Sequence, residues 1–116
     1  MTTALYTADA FRRHVTPPGH PEQVARLQAV ARALAGMDLD RRDAPLCRGG
    51  DILRCHPARY LDRVRAAEPV QGWAQLDADT WLSPGSVEAA LRAVGGACAA
   101  VDAVLAGEMK NAFIAA

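Results

Sequence analysis

Apolar positions in this chain recur at three- and four-residue steps in the middle stretches and gather into short runs near both ends, a pattern that alternates strand with helix. The opening run Thr3-Ala4-Leu5-Tyr6-Thr7 is β-prone and reads as a first strand, with Asp9 to His14 leading away from it. Pro17-Pro18-Gly19 then breaks the chain, and Pro21 stands at a natural first helical position with Glu22 in the first turn. Val24, Leu27, Val30, Ala31 and Leu34 line one face of the helix that follows, and Gly36 is placed to end it in the left-handed conformation.

Residues 38–43 are charged and aperiodic, and Ala44-Pro45-Leu46-Cys47 reads as a brief strand before a Gly49-Gly50 turn. Ile52 and Leu53 begin a short helical turn expected to pack inward. Pro57 opens another helix in which Tyr60, Leu61 and Val64 share a face, and Pro69 ends it. Residues 70–83 have no sustained period and read as a loop pinned by Trp73 and Trp81. Ser83 as cap and Pro84 as first residue start the strongest helix, whose stripe is Val87, Leu91, Val94, Cys98, Val101 and Leu105. The pair Gly95-Gly96 inside it points to close approach of a neighbouring backbone, and Gly107 stops it. Asn111 to Ala116 is an apolar run that reads as a buried parallel strand, and ligands of open α/β sheets gather beyond the carboxyl ends of such strands. The order predicts an α/β fold, a mostly parallel sheet with covering helices, in one domain.

Composition narrows the partners. The chain has 116 residues, is 51% hydrophobic, and carries 13 basic against 13 acidic residues, so it has no electrostatic footprint for nucleic acid or an anionic membrane. Neither partner is expected. Three cysteines, Cys47, Cys55 and Cys98, form no C-x-x-C pair, and no signal segment or membrane-length apolar run is present, which predicts a cytoplasmic protein with free thiols.

The residues by themselves make no active site. His14, His20 and His56 are not paired at ligand spacing, and Asp77 and Asp79 have no histidine beside them, so a catalytic zinc lacks its usual set of three protein ligands. His20 is expected to cap a helix and His56 to pack beside Pro57. Ser83 and Ser86 lie at a helix start, where serine is ordinarily a cap, and no G-x-S-x-G elbow or G-x-G-x-x-G loop occurs.

Three segments nevertheless resemble the histone deacetylase family, in particular its bacterial branch of acetylpolyamine amidohydrolases and acetoin-utilisation proteins. His20-Pro21-Glu22-Gln23-Val24-Ala25-Arg26-Leu27 is similar to the family's H-P-E-x-P-x-R-L entry, with Val24 in place of the usual proline. His56-Pro57-Ala58-Arg59-Tyr60-Leu61 resembles its H-x-x-x-Y-L segment. Asp79-Thr80-Trp81-Leu82-Ser83-Pro84-Gly85-Ser86 resembles its D-T-x-x-S-P-G-S stretch.

The resemblance implies an arginase/deacetylase-like α/β fold and zinc-dependent hydrolysis of acetylated amides such as acetyl-lysine or acetylpolyamines. It implies that the final strand leads into an R-P-P-G-H-H loop with the catalytic histidine pair, and that the zinc ligands, an Asp-x-His pair and a later Asp, lie further on. None of these is in this sequence. Residues 1–116 are therefore expected to be the N-terminal part of a single deacetylase-like domain, truncated before its catalytic loops. The chain alone is expected to bind no zinc and to catalyse nothing, so it offers no metal or catalytic residue. Two positions carry over from the family: Arg26 as the arginine lining an internal product cavity below the metal, and Asp79 as the acidic residue at the pocket mouth that binds substrate amides. The competing expectation is a non-enzymatic helical scaffold or interaction module on the inherited fold, with self-association through an exposed sheet edge.

Overall fold

A computed structural model describes residues 2–116. Strand β1 (Thr3–Thr7) lies at the centre of a three-stranded parallel sheet, between β2 (Asp40–Asp43) and β5 (Asn111–Ile114). Leu5 pairs with Arg41 on one side and with Phe113 on the other. The connections carry the helices: a 3-10 helix (Asp9–Arg13) and α1 (Val24–Leu34) join β1 to β2, while α2 (Gly49–Leu53), α3 (Ala58–Ala67) and α4 (Ser86–Leu105) precede β5. Within residues 70–83, two-residue strands β3 (Ala74–Gln75) and β4 (Trp81–Leu82) pair as a small antiparallel hairpin.

Alternation along β1 decides the layers. Ala4 and Tyr6 point into a core with Ala44, Ala89, Ala100, Ala103 and Met109, so α4 covers that face. Leu5 turns the other way, into a crevice with Leu27, Ala31 and Leu34 of α1. No residue of α1 is fully buried, and that second face is thinly covered.

The side of α4 that packs is not the stripe of large apolar residues. Its buried positions are Ser86, Ala89, Gly95, Gly96, Ala100 and Ala103, whereas Val101 is 57% and Leu105 81% exposed. Small residues let the helix axis approach the sheet and the 44–47 segment, and that close fit outweighs the larger side chains in selecting the buried face. The glycine pair serves the approach anticipated from sequence. A Cβ on Gly95 would meet the Pro45 carbonyl oxygen and lie 2.7 Å from both the Leu46 carbonyl carbon and the Cys47 nitrogen. The Cys47 N–H donates to the Leu91 carbonyl at 3.1 Å, so the loop is hydrogen-bonded to the helix where it crosses.

Several boundaries depart from the sequence pattern, each for a local reason. Helix α1 begins at Val24 after an extended Gln23, because His20 is spent on the hairpin and on the Glu22 N–H, and the Glu22 side chain turns to His14. Gly36 has no positive φ; the Arg41 guanidinium donates to the Leu34 carbonyl at 2.7 Å and caps the helix end in place of a left-handed glycine. The second strand is the charged Asp40–Asp43 rather than residues 44–47. Its outward carboxylates and guanidinia suit an edge strand, and Arg42 binds Asp40 at 3.0 Å and Glu108 at 3.2 Å.

Gly49 and Gly50 are the first turn of α2, whose start is held by the Arg48 N–H donating to Asp51 at 2.9 Å, and Leu53 faces solvent rather than the core. Helix α4 starts at Ser86 after Gly85, which takes φ 94°, instead of at Pro84. Gly107, at φ 76°, does stop it. Strand β5 is parallel as expected but not buried: its outer edge is open and Phe113 is 50% exposed.

Candidate functional site

A cavity of about 360 Å³ opens beside Ala116, just past the carboxyl end of β5, where α1, the hairpin and the first turns of α4 converge. Arg26 and Asp79, the two positions singled out from sequence, both line it. The Arg26 guanidinium donates to the Ala116 main-chain oxygen at 2.9 Å, which turns its charge toward the strand end. Asp79 sits on the exposed tip of the β3–β4 turn.

That turn leaves the Asp79 carboxylate out of its own hydrogen bonds. Asp77 is the aspartate that builds it: its carboxylate accepts the Asp79 N–H at 2.9 Å, and this bond, with a further one from Thr80, holds the Asp77 carboxyl below its ordinary range. The Asp79 carboxylate takes no partner among the described residues, so the turn-forming role belongs to its neighbour. His20 fixes the tip from the other side. Its Nδ1 accepts the Glu22 N–H at 3.1 Å, which leaves Nε2 protonated to donate to the Asp79 carbonyl at 2.9 Å. His20 does not cap α1, whose N-cap is Gln23 with no side-chain cap; its local bond is to Glu22 ahead of the helix, and a second one reaches the hairpin. His56, expected against Pro57, stacks instead on Tyr60, with ring centroids 5.1 Å apart.

One constellation has no signature in sequence spacing. His14 Nδ1 lies 2.8 Å from Ser86 Oγ, and its Nε2 lies 3.4 Å from the Glu22 carboxylate. Proton accounting assigns the roles. Ser83 Oγ donates to the Arg13 carbonyl and accepts the Val15 N–H, while Ser86 Oγ accepts the Ser83 N–H. His14 Nδ1 at 2.8 Å is a closer acceptor for the Ser86 hydroxyl proton than Ser83 Oγ at 3.2 Å, and with that bond made the tautomer is the one whose Nε2–H faces Glu22.

The order acid, imidazole, hydroxyl is that of a serine hydrolase, but the surroundings are wrong for one. Ser86 is 4% exposed, and the N–H groups that could stabilise an oxyanion are spent: Ser86 on the Ser83 carbonyl, Val87 on Glu68 at 2.8 Å, Ala89 on the Gly85 carbonyl. The network is a clasp that ties the end of the 3-10 helix to the start of α4. Burial, reinforced by Asp51, pushes the Cys47 thiol up, away from thiolate. Among the described residues no three His, Cys, Asp or Glu side chains converge, so the donors present do not make the usual three-ligand set of a catalytic zinc.

Residues 20–116 match the histone deacetylase domain family, from the His20 that pins the hairpin to the last residue beside Arg26. The chain belongs to the histone deacetylase family. A histone deacetylase-like amidohydrolase of Pseudomonas aeruginosa is 42% identical over 107 residues, covering 85% of this chain and 28% of that protein. A probable deacetylase of Methanothermobacter thermautotrophicus is 33% identical over 90 residues, covering 75% and 27%. The crystal structure of the HDA15 HD domain superposes with a TM-score of 0.89 at 22% identity, over 99% of this chain and 35% of that one, a likeness of fold.

This histone deacetylase family chain therefore spans little more than a quarter of the length of these curated relatives. The arginase/deacetylase-like α/β architecture inferred from the three motifs is the one observed. No helix among the described residues is long and apolar enough to cross a membrane.

Proposed function

We propose that this chain is the N-terminal portion of a zinc-dependent amidohydrolase that removes acetyl groups from acetyl-lysine or acetylpolyamine-type amides. In this reading it supplies scaffold, cavity wall and pocket mouth, and the metal centre is built by residues outside it. The observation that carries the reading is the convergence of Arg26 and Asp79 on one cavity at the carboxyl end of β5. A guanidinium pairs well with a carboxylate, so Arg26 would guide the acetate product through the cavity. The unpartnered Asp79 carboxylate would accept N–H groups of the substrate at the mouth. Zinc, when bound by the rest of the domain, supplies the Lewis acid and the activated water.

Calorimetric zinc titration of the 116-residue chain, with acetyl-lysine and acetylpolyamine substrates assayed in parallel, is expected to give neither stoichiometric metal uptake nor turnover. Catalysis by the isolated chain would overturn the assignment. The competing class, a stand-alone interaction module, draws its support from the open edge of β5 and the half-exposed Phe113. An unpaired apolar edge favours pairing with a second copy. Light scattering is accordingly expected to show apparent mass rising with concentration, and a lysine at Phe113 should return the chain to a monomer.

A further inference from the structure

Helix α3 carries an exposed face with a composition that the cavity does not explain. None of its residues is fully buried, and Arg59, Tyr60 and Arg63 all face solvent. They sit with His56 around a surface notch of about 370 Å³. The His56 ring stacks on Tyr60 with an interplanar angle of 28°, and Arg59 and Arg63 line the same notch.

Charge is concentrated here although the chain as a whole is neutral. Residues 48–65 hold five arginines against Asp51 and Asp62. Arg48 pairs with Asp102 and Arg54 with Asp51, while Arg59 and Arg63 take no carboxylate partner among the described residues.

We propose that the face of α3 carrying Arg59 and Arg63 beside the His56–Tyr60 stack is a docking face for an extended acidic peptide segment of another protein. Arg59 and Arg63 are one helical turn apart, with Cβ atoms about 6 Å from each other. Alternate side chains of an extended strand, at ~3.3 Å rise per residue, present two carboxylates at nearly that spacing. Each guanidinium can then take one carboxylate, while the residue between them points away from α3. A nucleic acid strand fits less well, because single-strand sites track about four or more nucleotides along a continuous cationic groove, and this strip is a single turn long. The face shares no residue with the cavity, so the proposal stands apart from the hydrolase assignment.

The test is a nuclear magnetic resonance titration of the isotope-labelled chain with a short peptide of alternating glutamate and alanine, at an ionic strength of ~0.15 M. Saturable shifts confined to residues 54–65 are expected. The double variant Arg59→Ala/Arg63→Ala should weaken binding by roughly tenfold, and Arg59→Lys/Arg63→Lys, which keeps the charge without the planar fork, by less. Both arginines are solvent-exposed, and an unchanged spectrum elsewhere reports that the variants remain folded. Absence of saturable shifts, equal binding of a lysine-alanine peptide, tighter binding of a thymidine oligonucleotide, or unaltered affinity in the alanine variant would each overturn the proposal.

Discussion

Gly95→Ala is expected to destabilise the chain by about 3 kcal/mol, a single methyl causing the largest loss of any substitution considered. The added carbon has nowhere to go. It meets the Pro45 carbonyl oxygen and the Leu46–Cys47 peptide, which are backbone and cannot rotate aside as a flexible side chain would. Relief would require lifting α4 from the loop, which would break the Cys47 to Leu91 hydrogen bond and open the alanine-lined core beneath. The comparison is Gly36→Ala, where no atom lies within 4 Å and φ is not positive. That variant should be neutral or more stable by about 0.5 kcal/mol, because alanine restricts the unfolded chain. Urea unfolding of the two variants beside the parent chain checks both signs. Equal midpoints for Gly95→Ala and the parent would show that the loop does not cross where it is described.

The second large effect is expected at the clasp. Ser86→Ala removes the acceptor of the Ser83 N–H and the donor to His14 Nδ1 in one step, and strands the Ser83 N–H in a buried site, whereas His14 is a quarter exposed. A lost neutral hydrogen bond costs about 1 kcal/mol and a stranded buried group about 1–3 kcal/mol, so a total of ~2–3 kcal/mol is expected. The measurement has a spectroscopic arm. In the parent chain the nitrogen shifts of neutral His14 should report the Nε2–H tautomer, and in the variant, with no proton offered to Nδ1, a tautomer mixture should appear. A parent spectrum of the Nδ1–H form would refute the proton accounting.

What sequence could reveal followed the reach of each interaction. Strand β1 and the stop at Gly107 were legible because they depend on neighbouring residues, and the close approach at Gly95-Gly96 because few other causes place two glycines inside a strong helix. The buried face of α4 was not. Periodicity favours the large residues Val94, Val101 and Leu105, while the observed packing selects Ala100 and Ala103 for their smallness. Strand β2 was hidden for a related reason: an edge strand can carry Asp40, Arg41, Arg42 and Asp43 because only one of its margins is paired, so it leaves no apolar trace.

At the site, motif resemblance located Arg26 and Asp79, and the cavity brought them together. The links among His14, Glu22, Ser83 and Ser86 join segments remote in the chain, and no local pattern could announce them.

The bond from His20 to the Asp79 carbonyl joins two of the three recognisable motifs into one mechanical unit. Chimeras between relatives should respect it. Exchanging the stretch around His20 without the matching hairpin tip would leave an imidazole proton facing the wrong backbone, so these two segments should be transplanted as a pair.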